Sequence, residues 1–291
     1  MSGAGEPSPW ADAVLAATLF AVDPVGTGGV AVRALAGPAR EGWLALLRGL
    51  LPAGAPVRRV PLNVDDGRLL GGLDLAATLR AGRPVAERGL LAEADGGVVL
   101  LAMAERLAPA TAAQAAAALD AGEVVLERDG LALRAPARFG IVALDEGIAD
   151  DERPPEALLD RLAFRVDLHA VSTREADASE AYGPDEVAAA RKRLPGVRAG
   201  DDVVEALCGT ADALGIVSLR APLLALRVAR AAAALAGRGE VAEADAAVAA
   251  RLVLAPRATR LPAAERPDGE AQPAEAERIE DEGEPFGDNF A

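Results

Sequence analysis

Residues 21–51 read AVDPVGTGGVAVRALAGPAREGWLALLRGLL, and the order of elements in that stretch decides the fold. The string GTGG (26–29) invites reading as a phosphate loop, but its neighbours argue against it. A phosphate loop follows a strand and opens a helix. GTGG instead follows PWADAVLAATLFAV (9–22), where Trp10, Val14 and Ala17 recur at helical spacing behind Pro9. It precedes GGVAVRAL (28–35), short and β-branched as strands are. REGWLALLRGLLP (40–52) then puts Trp43, Leu46, Leu47 and Leu50 on one helical face and stops at Pro52. GTGG is therefore expected to be a turn, and the strand–loop–helix unit runs 28–51 with AGPAR (36–40) as its loop.

The same reading extends outward. GGVVLLAM (96–103) is a continuous apolar run behind a glycine pair, the pattern of a parallel strand buried on both faces. ARFGIVAL (137–144) and LAFRVDL (162–168) repeat it. Between them, Thr111 and Gln114 stand at capping-box spacing before an alanine-rich helix ending near Gly122. EVVLERDGLALRAP (123–136) reads as a hairpin turning at Asp129-Gly130. Strands alternating with helices indicate an α/β sheet covered on both faces. From about residue 184 the pattern is helical only, in four segments, with Asp185 and Ser218 as N-cap candidates. The expected organisation is an α/β core over 1–170, a helical subdomain over 171–256 and an acidic, proline-rich linker over 257–291.

Composition narrows the function. The chain has 291 residues and a net charge of −15. Residues 262–291 hold ten acidic and two basic side chains and almost no large apolar groups, so this tail cannot offset the entropy of its own ordering and is expected to be disordered. An acidic body with an acidic tail argues against nucleic acid as a ligand. No apolar run reaches the roughly 18 residues of a membrane span, and MSGAGEPSPW is unlike a signal peptide, so a cytoplasmic protein is expected. One cysteine (Cys208) and one histidine (His169) leave no Cys/His metal cluster and no disulfide, and His169 reads as a structural or surface residue. The only lysine, Lys192, has no glycine-rich loop before it, so a Gly-Lys-Ser/Thr phosphate loop exists nowhere in the sequence.

AVDPVGTGGVAVRALAGPAREGWLALLRGLLP, GGLDLAATLRAGRPVAERGLLAEADGGVVLLA, LDAGEVVLERDGLALRAPARF and PPEALLDRLAFRVDL together resemble the AAA+ module of magnesium chelatase, over roughly residues 10–255. That enzyme inserts Mg²⁺ into protoporphyrin IX at the start of (bacterio)chlorophyll synthesis. The family pairs an active ATPase subunit, I, with a degenerate partner, D, in which an acidic linker and an integrin-like domain follow the AAA+ module. The chain resembles a D subunit that stops within its linker. The resemblance implies a P-loop-type three-layer α/β core with a helical AAA+ subdomain.

Aligned on AVDP and GGV, the family's phosphate loop falls on ALAGPARE (34–41). There only Gly37 remains, Pro38 removes an N–H, Arg40 takes the lysine's place, and Glu41 stands where a Mg²⁺-binding hydroxyl belongs. The acidic pair that should end the buried strand is Ala102 and Met103, and Asp145 or Glu146 replaces the water-positioning asparagine. The arginines fare better. By resemblance Arg161 of LLDR is a finger for a neighbour's γ-phosphate, Arg153 belongs to the same loop, and Arg220 of SLRAPLL is the sensor arginine. The resemblance thus implies a subunit without ATP hydrolysis of its own, with no tightly bound cofactor, in a ring with the I subunit and serving the porphyrin-binding H subunit. A weak ATPase using Arg40, or a nucleotide-binding module of another ring-forming complex, is the alternative.

Overall fold

A computed structural model describes residues 7–128, 131–176 and 182–260. Its strands are β1 (Gly29–Arg33), β2 (Val57–Val60), β3 (Gly71–Leu73), β4 (Ala86–Arg88), β5 (Val98–Leu101), β6 (Glu123–Arg128), β7 (Leu131–Pro136), β8 (Gly140–Asp145) and β9 (Phe164–Asp167). Five of them form one parallel sheet in the order β2-β5-β8-β1-β9, while β3 pairs with β4 and β6 with β7 in antiparallel ribbons. The expected strands are all present, with ends shifted by one to three residues; β9, expected to be buried on both faces, is an edge strand in which Arg165 and Val166 are half-buried and Asp167 is exposed. The hairpin forms, but its turn at Asp129-Gly130 lies outside the described residues, as does the acidic tail from 261.

The register sets the geometry of everything that follows. Gly29 lies beside Ile141 and Val30 beside Phe164, so the starts of β1, β8 and β9 share one edge. Arg33 lies beside both Asp145 and Asp167, so their ends share the other. The loop 34–37 and the helix Pro38–Leu50 leave from that carboxyl edge.

GTGG is a turn. Pro24–Thr27 makes one helical turn, held by Asp23, whose Oδ1 accepts the Gly26 N–H at 2.8 Å. Gly28 then takes a positive φ of 73°, which L residues rarely adopt, and feeds β1. A Cβ at Gly28 would sit 2.1 Å from the Arg161 carbonyl oxygen, so the glycine is needed for close approach as well as for its φ.

Alternate residues of β1 point to opposite layers. Val30 and Val32 join Trp10, Phe20 and Trp43 on one face; Ala31 joins Val99, Leu101 and Ile141 on the other. Trp43 is fully buried and its indole N–H donates to the Ala13 carbonyl at 2.8 Å, which ties helix Pro9–Val22 to helix Pro38–Leu50. The C-terminal helices Pro184–Arg193, Asp201–Ala213, Arg220–Leu235 and Glu243–Ala249 contribute Val187, Leu207, Val228 and Ala249 to the first of these layers. The helices of the expected helical subdomain therefore share one apolar core with a face of the sheet.

Four local expectations need correction. Helix Pro109–Ala121 starts at Pro109 behind Ala108, so Thr111 lies inside it, buried, and Gln114 donates to Asp66 at 3.0 Å instead of closing a capping box. Gly183 caps helix Pro184–Arg193 and Asp185 sits in its first turn, because Pro184 is already committed to a helical φ and Glu186 reaches back to the Gly183 N–H at 2.7 Å. Arg257, expected at the head of the linker, belongs to the body. It is buried, donates to the Leu162, Ala163 (3.0 Å) and Val253 (2.6 Å) carbonyls, and burial pushes its pKa down to about 10. Ser218 lies one residue before the cap position of helix Arg220–Leu235, and its hydroxyl accepts the Arg220 N–H at 3.2 Å. His169 is a half-exposed partner of Asp167 at 3.2 Å, and Cys208 is exposed and unpaired. Among the described residues no helix is long and apolar enough to cross a membrane, and no group of three or more His, Cys, Asp or Glu could hold a metal ion.

Candidate functional site

Two charged clefts lie at opposite edges of the sheet. At the carboxyl edge, the loop expected at the phosphate-binding position is tied by ion pairs to other residues of the same chain. Gly37 has extended backbone that any residue could adopt, and Pro38 begins the helix without an N–H. Arg40 is buried; its Nη1 donates to Glu146 Oε1 at 2.7 Å, and its Nε lies 3.7 Å from Glu41. Arg33 pairs with Asp145 at 3.1 Å and donates to the Ala149 and Glu152 carbonyls at 2.7 and 3.0 Å. Glu146 is itself fixed, since its N–H donates to Glu105 at 2.9 Å. At the end of β5, Ala102 is buried and apolar, and Met103 has a positive φ of 50°. Each guanidinium at this edge is thus matched by a carboxylate of the same chain.

Arg153 is exposed in the loop that follows β8, donating to the Asp150 carbonyl at 2.8 Å. With Arg33, Asp145, Arg165 and Asp167 it lines a cleft of about 240 Å³ at the carboxyl edge. The structure does not bring it to Arg161.

Arg161 lies at the amino edge, after the helical turn Glu156–Leu159 and before β9. Here a larger cleft, about 590 Å³, is lined by Arg138, Arg161, Arg220, Arg227 and Arg230 against only Asp23 and Asp120. Five guanidinium groups converge in a chain whose net charge is −15. Arg161 donates from Nε (2.9 Å) and Nη2 (2.6 Å) to Asp120 Oδ2, and from Nη1 to the Ala157 carbonyl (2.6 Å). Arg220 donates to both oxygens of the same carboxylate at 3.1 Å, and its Nε lies 3.4 Å from Asp160. Asp160 in turn accepts the Ser218 hydroxyl proton, which links the LLDR turn to the start of helix Arg220–Leu235. Partial burial raises the Asp120 pKa, but the hydrogen bonds and charges of Arg161 and Arg220 outweigh this and hold the carboxyl below its ordinary value. Arg227 reaches the Gly26 carbonyl at 2.8 Å and Arg230 the Val197 carbonyl at 3.0 Å.

The arrangement brings Arg161 and Arg220 together and separates both from the chain's own loop. A five-residue strand spans about 16 Å, and β1 stands between the two edges. Neither arginine serves residues 34–41 of the same chain. The cleft can bind an anion presented from outside, with paired planar forks suited to phosphate oxygens. Sequence reading missed Asp120, Arg138, Arg227 and Arg230. One signal for Asp120 was available: it is an acid in the last turn of a helix, where the dipole disfavours one.

The AAA lid domain family matches residues 204–276. The magnesium-chelatase 60 kDa subunit of Cereibacter sphaeroides is 44% identical over 260 residues, a match covering 88% of this chain and 42% of that protein. The 67 kDa subunit of Chlorobaculum parvum is 34% identical, covering 84% and 42%. The magnesium-chelatase 38 kDa subunit of Rhodobacter capsulatus is 33% identical, covering 78% of this chain and 79% of that one. This chain therefore spans 42% of the length of the 60 and 67 kDa relatives. A crystal structure of a Cytophaga hutchinsonii protein matches 86% of each chain with a TM-score of 0.61 at 14% identity, a likeness of fold alone.

Proposed function

Because the chain belongs to the magnesium-chelatase family of AAA+ subunits, we propose that it is a non-hydrolysing ring subunit whose arginines complete the nucleotide site of an active neighbour. In this reading it assembles in the cytoplasm with the family's I-type ATPase and couples nucleotide turnover to the porphyrin-binding H subunit. The assembly inserts Mg²⁺ into protoporphyrin IX for (bacterio)chlorophyll synthesis. Mg²⁺ is cargo here, and the chain's described residues offer it no ligand cluster.

One observation carries the reading: Arg161 and Arg220 converge at the edge of the sheet opposite the chain's own loop. A guanidinium so placed acts only on a site the chain does not own. The chain's own loop is, in addition, a chemical misfit for nucleotide. The family's magnesium nucleotide needs a free cation, successive loop N–H groups and carboxylates for Mg²⁺. Here Arg40 is already paired with Glu146, Pro38 lacks its N–H, and Ala102 and Met103 bring no carboxylate. The residues do not fit that group, and no step is assigned to it on this chain.

The test combines the chain with an I-type ATPase and compares turnover with unaltered and Arg161→Ala protein. The isolated chain is expected to hydrolyse no ATP on its own; hydrolysis that Arg40→Ala abolishes would establish the weak-ATPase alternative instead. A second expectation concerns the ion-paired loop. A double-mutant cycle of Arg40→Ala and Glu146→Ala, read by denaturant midpoints, should give a coupling of about 1 kcal/mol, as expected for a well-aligned pair with one partner largely buried. A coupling near zero would mean that Arg40 is free to take another anion.

A further inference from the structure

The amino-edge cleft contains a carboxylate that the trans role does not call for, and the inference drawn from it rests on that proposed role. Asp120 sits in the last turn of helix Pro109–Ala121, which has no basic side chain to offset the unfavourable dipole. Its Oδ2 nevertheless receives three N–H groups, two from Arg161 and one from Arg220, and its Oδ1 receives a fourth from Arg220. Two planar forks closing on one set of oxygens is how guanidinium groups hold a phosphate. We infer that Asp120 is an internal stand-in for phosphate, holding the forks of Arg161 and Arg220 on one point of the cleft until a polyphosphate displaces it.

The surrounding charge fits this exchange. Among the described residues Arg138, Arg227 and Arg230 line the same cleft with no carboxylate partner, so it stays cationic after Asp120 has neutralised part of it. A ligand carrying one charge gains little over the tethered carboxylate. A chain of phosphates engages the remaining arginines as well, and so can win. The consequence is selectivity: the arginines stay occupied in the free subunit and are released only where several phosphates are presented together, as on a neighbour's nucleotide.

The probe is inorganic tripolyphosphate, titrated calorimetrically into the isolated chain at low salt. Asp120→Asn, which keeps an acceptor but removes the charge, should bind it at least about tenfold more tightly than the unaltered chain. Asp120→Ser serves as the second variant, and thermal melts confirm that each is folded. Adding Arg161→Ala to Asp120→Asn should remove the gain. Equal or weaker binding by the folded Asp120 variants, or a gain that survives Arg161→Ala, overturns the inference. The mixed-complex ATPase assay separates its failure from that of the trans role. An Arg161-sensitive partner without the tripolyphosphate gain overturns the stand-in alone. The gain with an Arg161-insensitive partner supports the stand-in and removes the trans role.

Discussion

Arg161→Ala is expected to leave the chain folded and assembled while lowering ATP turnover about 10³-fold at each neighbouring site that this chain completes. The magnitude is the low end of what a guanidinium supplied in trans contributes to phosphoryl transfer. The fold should tolerate the change because the side chain lines an open cleft and its Asp120 partner retains Arg220, so the stability cost is about 1 kcal/mol. Arg161→Lys should recover only a small part of the rate, since an ammonium keeps the charge and loses the fork that donates from Nε and Nη2 together. The measurement is steady-state ATPase of the mixed complex, with size-exclusion chromatography to show that the ring persists. Unchanged turnover in an intact ring would remove the trans role and leave a purely structural subunit.

Arg220→Ala belongs to the same experiment but should cost less. Arg220 is more exposed than Arg161 and divides its hydrogen bonds between Asp120 and the neighbourhood of Asp160. Its contribution is that of a second fork on the same oxygens.

What the sequence made legible follows from the range of the forces involved. Buried parallel strands announce themselves because both faces are covered, and so GGVVLLAM and RFGIVAL could be placed without a partner in view. GTGG could be assigned to a turn from the order of its neighbours. Helix starts were less legible: Thr111, Asp185 and Ser218 all carry capping chemistry, but Pro109, Pro184 and the tie from Ser218 to Asp160 fix where each helix begins. The boundary at 256 was misread because Arg257 looks like the head of a charged linker, and only the fold brings the Leu162 and Ala163 carbonyls to it. In the candidate site the residue types could be read from the sequence, but their grouping in space could not. Arg161, Arg220 and Asp120 lie up to 100 positions apart, and nothing local to Asp120 says that two guanidinium groups will close on it. The separation of Arg153 from Arg161 is likewise a property of the sheet, since the chain crosses from one edge to the other between them.

Gly28→Ala should destabilise the chain by about 3 kcal/mol, whereas Gly37→Ala should shift it by no more than about 0.5 kcal/mol, and the contrast tests which glycine the fold depends on. At Gly28 the φ of 73° costs an L residue about 1–2 kcal/mol. The new Cβ would also meet the Arg161 carbonyl oxygen at 2.1 Å, an overpacking of backbone that adds about 1–3 kcal/mol. The turn cannot easily yield, because the Gly28 carbonyl accepts the Ile141 N–H at 2.9 Å and the Thr27 carbonyl accepts that of Ala163, also at 2.9 Å. Relief must come from the Arg161 backbone, so the same substitution should also reduce activation of the partner in the mixed complex. Gly37 sits at the phosphate-loop position, yet its backbone is extended and a Cβ there meets nothing within 4 Å. Alanine in its place removes only conformational freedom from the unfolded chain. Urea midpoints of the two variants decide the matter. Equal midpoints would mean that GTGG is not the fixed turn on which Arg161 is seated, while the expected gap would show that the fold depends on the glycine beneath Arg161 and not on Gly37.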